Sequence, residues 1–371
     1  MYQEKKMRFN RQLESIKVYE GGKPIELVMR EYGIAPEDIV KLASNENPFG
    51  TSPKVVEAIK ANADTVHMYP DDSMIELKTA LGEKFDVDTS NIILGAGSDQ
   101  VISFAINAKA NKHKKVLTAR TTFAMYEIYA KQIGATVIKT PSHQHNLDEI
   151  YSKYKKDGDV GIIFLCLPNN PLGECLDKED VFKFISKIDE NTMVVVDGAY
   201  QDFAAAKDPK KKIDPKELIE TFPNTLYLGT FSKSYGLGGM RIGYGIANEE
   251  IMQALYKMRP PFNVTSLSLK AAKAALEDEA FVQMGIENNF KEMKKYEEFA
   301  KKNKIDFIDS YTNFITLLFD KTKNSSEIAQ LLLKKGIIIR DLKSYGLNGI
   351  RVTIGKPEQN ERFFTEIEPL L

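Results

Sequence analysis

Three almost purely apolar runs, each followed at once by polar residues, constrain the fold of this chain more than any other feature. Gly161-Ile162-Ile163-Phe164-Leu165-Cys166-Leu167 leads into Pro168-Asn169-Asn170-Pro171-Leu172-Gly173, and Thr192-Met193-Val194-Val195-Val196 leads into Asp197-Gly198-Ala199-Tyr200. The third run, residues 225–230, stops just before Phe231-Ser232-Lys233-Ser234. Runs without polar alternation belong to strands buried on both faces, and such strands imply an α/β fold with a mostly parallel sheet between helices. Ligands in open α/β sheets bind beyond the carboxyl ends of the strands, so Asn170, Asp197, Tyr200 and Lys233 are expected at one pocket.

Lys233 lies in a small-residue turn between Ser232 and Ser234, with Arg241 one short loop later in Gly236-Leu237-Gly238-Gly239-Met240-Arg241-Ile242-Gly243. An amine beside hydroxyls and a guanidinium suits an aldehyde cofactor that carries a phosphate. The arginine and hydroxyls grip the phosphate and the lysine forms the Schiff base, which points to pyridoxal 5′-phosphate, PLP. Such a cofactor also asks for a carboxylate, here Asp197, to keep the pyridine nitrogen protonated so that the ring acts as an electron sink. Asn170 and Tyr200 can supply donors to its phenolate oxygen. Taken singly, each residue has an ordinary reading, since Ser-Lys is a common solvated turn in a chain with 51 Lys+Arg, Asp197 can cap a helix and Tyr200 can be core. Their joint occurrence carries the argument.

Residues 91–94 read as a short strand, Gly95-Ala96-Gly97-Ser98-Asp99 as a glycine-rich turn and residues 100–110 as a helix, so backbone N–H groups there face an anion. The dinucleotide spacing Gly-x-Gly-x-x-Gly is absent because its sixth position is Gln100, which argues against NAD.

With these motifs in order, the chain resembles the fold-type I, aspartate-aminotransferase-like PLP enzymes and, within them, is similar to the histidinol-phosphate aminotransferases. Leu42-Ala43-Ser44-Asn45-Glu46-Asn47-Pro48-Phe49-Gly50 matches the entrance segment and Tyr69-Pro70-Asp71 the tyrosine-proline motif, and Gly349-Ile350-Arg351-Val352-Thr353-Ile354-Gly355 closes the series. The resemblance implies a large domain with a mostly parallel, seven-stranded-type sheet and a smaller α+β domain. It implies that Lys233 carries the cofactor, that Asp197 pairs with the pyridine nitrogen and that Asn170 and Tyr200 bond the phenolate oxygen. The phosphate is implied to rest on the Gly97 and Ser98 N–H groups with Thr230, Ser232 and Arg241, the adjoining Asp99 is counted among the cofactor-binding residues, and Phe123 stands where the family usually has a ring-stacking tyrosine. Tyr69 is implied to reach the cofactor phosphate of a neighbouring subunit, making a homodimer with a shared active site. Arg351, Arg340 and Tyr19 are the implied contacts to the substrate's anionic group. Leu172 and Gly198 depart from the usual threonine and acidic or alanine residues, and neither change removes an essential catalytic group.

The activity implied is PLP-dependent transamination of L-histidinol phosphate with 2-oxoglutarate, giving imidazole acetol phosphate and glutamate in histidine biosynthesis. One site must then accept a phosphate and a carboxylate, which guanidinium groups and phenols can do. An aromatic amino acid aminotransferase or an amino-acid-phosphate decarboxylase would share the cofactor site, and a PLP-fold binding or regulatory protein would keep the fold without turnover.

A chain of 371 residues exceeds the size of a single core. The expected division is an N-terminal arm with part of the small domain at 1–45, the PLP-binding domain at 46–265, and the rest of the small domain at 266–371. The boundary follows the double proline of Arg259-Pro260-Pro261-Phe262, and helices are expected over 266–277 and 279–303. With 51 Lys+Arg against 52 Asp+Glu, no basic excess suggests nucleic acid, and Lys210-Lys211-Lys212 with Lys207 reads as a solvated loop. The charged helix around 289–304 likewise reads as a solvated face. Two cysteines, Cys166 and Cys175, offer no disulfide framework and fit a reducing cytoplasm, and His143 with His145 reads as a solvated loop rather than a metal site. The charged N-terminus precedes no apolar stretch, so neither a signal peptide nor a membrane anchor is expected.

Overall fold

In a computed structural model of the protein, which describes residues 7, 9–16, 18 and 25–371, the three apolar runs form the middle of a seven-stranded sheet. In chain order its strands are β1 (Ile92–Gly95), β2 (Lys115–Thr118), β3 (Val137–Lys139), β4 (Val160–Cys166), β5 (Met193–Asp197), β6 (Thr225–Thr230) and β7 (Gly243–Ala247). Across the sheet they run β1-β7-β6-β5-β4-β2-β3, all pointing one way except β7, which is antiparallel to both neighbours.

Every residue of β4, β5 and β6 is buried. Because side chains alternate across a strand, Ile163, Leu165, Val194 and Val196 join one core while Ile162, Phe164, Val195 and Leu226 join another on the opposite face. Register then sets the site: Cys166, Asp197 and Leu228 lie level across β4, β5 and β6, and Thr230, Gly243 and Gly95 lie level across β6, β7 and β1.

The helices that matter to the site and its frame are α1 (Pro53–Asn62), α2 (Ser98–Lys109), α3 (Met125–Gln132), α4 (Gln201–Lys207), α5 (Ser266–Leu276) and α6 (Glu279–Lys302). α2 starts two residues before the expected 100, because Gly97, at φ 78°, turns the chain and leaves Ser98 and Asp99 in the first turn. α5 packs on α1 and buries Ala271, Ala272 and Ala275 in the large core. α6 bridges two cores, with Val282 and Ile286 in the large one and Met293, Tyr296 and Ala300 in the small one.

The small core is built on an antiparallel sheet of β8 (Asp306–Ile308), β9 (Phe314–Leu318), β10 (Arg340–Asp341) and β11 (Gly349–Thr353), in the order β10-β11-β9-β8. A parallel pairing of Val40–Lys41 with Ile337–Ile338 ties the N-terminal segment to it.

Three readings of polar segments change. Lys207 donates to Ser310 O at 2.9 Å, and Lys207 and Lys211 lie 4.4 and 5.3 Å from the centroid of the Tyr311 ring, so part of the basic cluster fastens the large domain to the segment entering β9. On α6, Glu292 is fully buried, its Oε2 accepting from Asn360 Nδ2 at 3.0 Å and its Oε1 lying 2.8 Å from the Lys295 ammonium. His145 is buried rather than solvated; its Nε2 accepts the Cys166 N–H at 3.3 Å and its Nδ1 faces Glu174 Oε1 at 3.3 Å. Each of these polar groups has a partner distant in sequence, which local composition cannot reveal. Among the described residues no helix is long and apolar enough to cross a membrane.

Candidate active site

A cavity of about 240 Å³ opens at the carboxyl edge of the sheet. Its wall takes Gly97, Ser98 and Asp99 from the β1–α2 turn, Phe123 from the approach to α3, and Asn170 from the turn after β4. Asp197 and Tyr200 follow from the end of β5, Thr230, Ser232 and Lys233 from the end of β6, and Arg241 from the approach to β7.

One end is a cradle for an anion. The Ser232 N–H donates to Thr230 Oγ1 at 3.1 Å, and that hydroxyl lies 3.1 Å from Ser232 Oγ. Glycine suits position 97 because φ is +78° there, and the absence of a Cβ leaves room for Arg241 Nη2, which would lie 2.8 Å from one. Asp99 adds an acid whose Oδ2 accepts the Tyr129 hydroxyl at 2.6 Å; burial raises its pKa, while Tyr129 and the Arg241 charge oppose the rise.

The other end is acidic and deep. Asp197 is buried, with Oδ2 accepting the Tyr126 hydroxyl at 2.6 Å and Oδ1 accepting the Ala199 N–H at 3.1 Å. Burial still raises its pKa, so the carboxylate is short of positive charge. The next residue is glycine because the Tyr227 ring occupies the space, a Cβ on Gly198 falling 2.5 Å from Tyr227 Oη.

Lys233 is half-buried, its Nζ 3.4 Å from Ser44 O and 5.7 Å from the centroid of the Tyr200 ring. Enclosure, reinforced by the charge of Arg351 and opposed by Glu46, pulls its pKa down to about 8. The Tyr200 hydroxyl accepts Asn45 Nδ2 at 2.8 Å, and burial holds its pKa above the ordinary phenol value. Asn170 Oδ1 accepts from Arg351 Nη1, while Arg351 Nη2 donates to Ala43 O at 2.6 Å.

Not every expected residue meets in this cavity. Arg340 stands opposite Arg351 in the β10–β11 register but lines a second cavity of about 600 Å³, with Phe123 on the wall common to both. Tyr69 is 83% exposed, lies outside the cavity wall and stacks on Phe262 at 4.8 Å. Tyr19 falls outside the described residues. Among the contributors not singled out from the sequence are Tyr126 behind Asp197, Tyr129 behind Asp99 and Asn45 behind Tyr200. The signal for Tyr126 was its position three residues after Phe123, and that for Asn45 was its place in the entrance segment.

Comparison with known proteins agrees with this geometry. The profile "Aminotransferase class I and II" matches residues 37–367. The histidinol-phosphate aminotransferase of Aliarcobacter butzleri (strain RM4018) is 60% identical over 365 residues, spanning 98% of this chain and 99% of the relative. That of Wolinella succinogenes is 59% identical over 365 residues with the same coverage, 98% and 99%. A crystal structure of histidinol-phosphate aminotransferase from Sinorhizobium meliloti in complex with pyridoxal-5′-phosphate aligns with a TM-score of 0.87 over 98% of this chain and 97% of that one, at 24% identity. The architecture is therefore the type I fold of PLP enzymes, a mixed but mostly parallel seven-stranded sheet with a small second domain. Identity near 60% along almost the full length of both chains leaves one assignment: the chain belongs to the histidinol-phosphate aminotransferase family, within the class I and II aminotransferases.

Proposed function

We propose that the protein transfers the amino group of L-histidinol phosphate to 2-oxoglutarate, forming imidazole acetol phosphate and glutamate in histidine biosynthesis, with PLP carried on Lys233. The observation that carries this reading is a lysine whose pKa falls to about 8 in one cavity with a buried acid and a hydroxyl–guanidinium cradle. The residues fit the cofactor on physical grounds. Asp197, pushed toward neutrality by burial, gains the positive partner it lacks from a protonated ring nitrogen, and Ser98, Thr230, Ser232 and Arg241 offer donors to a phosphate.

When bound, the cofactor supplies an aldehyde that exchanges amines and a ring that takes up the electron pair released at the substrate carbon. Lys233, as the free amine, would take the proton released at the substrate carbon onto Nζ and hand it back within the site, and an amine with a pKa of about 8 is matched to that task. Asp197 would hold positive charge at the ring end, and Tyr200 and Asn170 would donate to the phenolate oxygen. Arg351 would receive the anionic group of either substrate, Arg340 could join it only from the neighbouring cavity that shares Phe123, and Phe123 would pack against the ring. The second half-reaction uses the same groups in reverse.

The proposed assembly is a homodimer in which Tyr69 serves the partner's cofactor phosphate. Its exposure supports this, as do the exposed apolar neighbours Val66 and Met68. A cytoplasmic location is in keeping with two buried, free cysteines. The proposed domain division keeps 46–265 as the cofactor domain and assigns 1–45 and 266–371 to the arm and small domain, with α5 and the first half of α6 packed on the large core and the rest of α6 in the small one.

Glutamate formation from 2-oxoglutarate, measured with purified protein and PLP, tests the reading. Histidinol phosphate should be the better donor by kcat/KM, and Lys233→Ala should abolish turnover. A preference for phenylalanine would make the protein an aromatic aminotransferase, release of carbon dioxide from an amino-acid phosphate a decarboxylase, and PLP binding without turnover a binding protein.

A further inference from the structure

The orientation of the Tyr200 hydroxyl can be derived from a chain of hydrogen bonds that begins at a donor whose direction is fixed. The backbone N–H of Asn45 donates to Thr353 Oγ1 at 3.0 Å, so that oxygen is an acceptor there. The Thr353 hydroxyl proton therefore points elsewhere, and Asn45 Oδ1, 3.0 Å away, accepts it. With its oxygen turned to Thr353, the Asn45 amide presents its nitrogen to Tyr200, where Nδ2 donates to the phenol oxygen at 2.8 Å. The reverse amide orientation would set Nδ2 against the Thr353 proton at a site where Asn45 is 1% and Thr353 3% exposed. An amide N–H on one side of the phenol oxygen leaves the phenol's own proton to point away from Asn45, and Tyr200 lines the cavity.

We propose that Asn45 is a positioning residue that aims the Tyr200 proton into the active-site cavity, and that Thr353, on the small-domain strand β11, sets the Asn45 amide that does so. The backbone is shaped for this role. Asn45 holds φ at 55°, a conformation that asparagine and aspartate tolerate better than other residues with side chains, and Asn313 Nδ2 fixes its carbonyl at 2.9 Å. The charged and titratable groups facing Tyr200 are Arg351, Asp197, Lys233 and the Cys166 thiol, and it is Asn45 Nδ2 that donates to its hydroxyl at 2.8 Å. The inference rests on the reading that PLP occupies the cavity with its phenolate oxygen within reach of Tyr200.

A hydroxyl donating to that oxygen stabilises negative charge on it, and so favours loss of the proton shared between the cofactor and Lys233. Turning the hydroxyl away raises the pH midpoint of that protonation. Asn45→Asp is the variant of choice because aspartate suits the backbone but can only accept, so the Tyr200 proton is drawn to it. The visible absorbance of the PLP-loaded protein, titrated against pH, gives the midpoint without reference to turnover. The expected rise is about one pH unit for Asn45→Asp, the size set by loss of one hydrogen bond to a charged group, and a smaller rise for Thr353→Val. In the Tyr200→Phe background, Asn45→Asp should add little, because its effect passes through the hydroxyl.

An unmoved midpoint in Asn45→Asp, or a shift as large in the Tyr200→Phe background as in the wild type, overturns the role of Asn45. An unmoved Thr353→Val overturns that of Thr353. A wild-type protein that develops no titrating band with PLP overturns the cofactor reading beneath both, and is thereby distinguished from them.

Discussion

Lys233 reacts as the free amine, and its enclosure decides at which pH that form exists. Its pKa lies at about 8 instead of the ordinary 10.5, so the neutral amine becomes the majority form above about 8. The rate at which cofactor-free protein takes up PLP, followed by absorbance, should therefore rise with pH through about 8 and level off above it. A rate that keeps rising toward 10.5 would mean a solvated lysine. Asp197→Asn keeps the shape and removes the charge, and kcat should fall on the order of 10²–10³-fold, the cost of losing one preorganised electrostatic partner. Lys233, Asp197, Tyr200 and Asn170 were legible in the sequence because each follows an apolar strand directly. Asn45 and Tyr126 were not, since their partners Tyr200 and Asp197 lie 155 and 71 residues away and nothing local marks the pairing.

Among the elements, β5 is held to its neighbour by a fit that leaves no space for a methyl group. Gly198→Ala places a Cβ against the Tyr227 ring, and overpacking of this kind costs about 1–3 kcal/mol. The urea midpoint of the variant should fall while the slope stays the same, and an unchanged midpoint would mean that the ring has room to move. β4, β5 and β6 could be read from sequence, give or take a residue at each end, because burial on both faces removes polar alternation. β7 could not, since Gly243-Tyr244-Gly245-Ile246-Ala247 carries two glycines that let it pack close to its neighbours, and β3 is only three residues long. The start of α2 was missed for a related reason: the turn glycine, rather than the first apolar residue, sets where the helix begins.

At the scale of the whole molecule, the proposed dimer makes a prediction that no single-chain account shares. A Lys233→Ala chain still offers Tyr69 to its partner, and a Tyr69→Ala chain still has its lysine. Mixing the two inactive or weakened variants under conditions that exchange subunits should therefore restore activity above that of either parent, because one site in each hybrid is complete. Failure of hybrids to regain activity would place Tyr69 in service of its own chain or of none. Residues 43 and 45 meet Arg351 and Thr353 across 308 positions of sequence, and these bonds complete the wall around Tyr200 and Asn170. During synthesis from the N-terminus, the lysine and the phosphate cradle leave the ribosome long before β11 does. The site is therefore complete only when the final stretch of the chain has joined it, and the order of residues along the chain sets when both the lowered pKa of Lys233 and the grip on a substrate first exist.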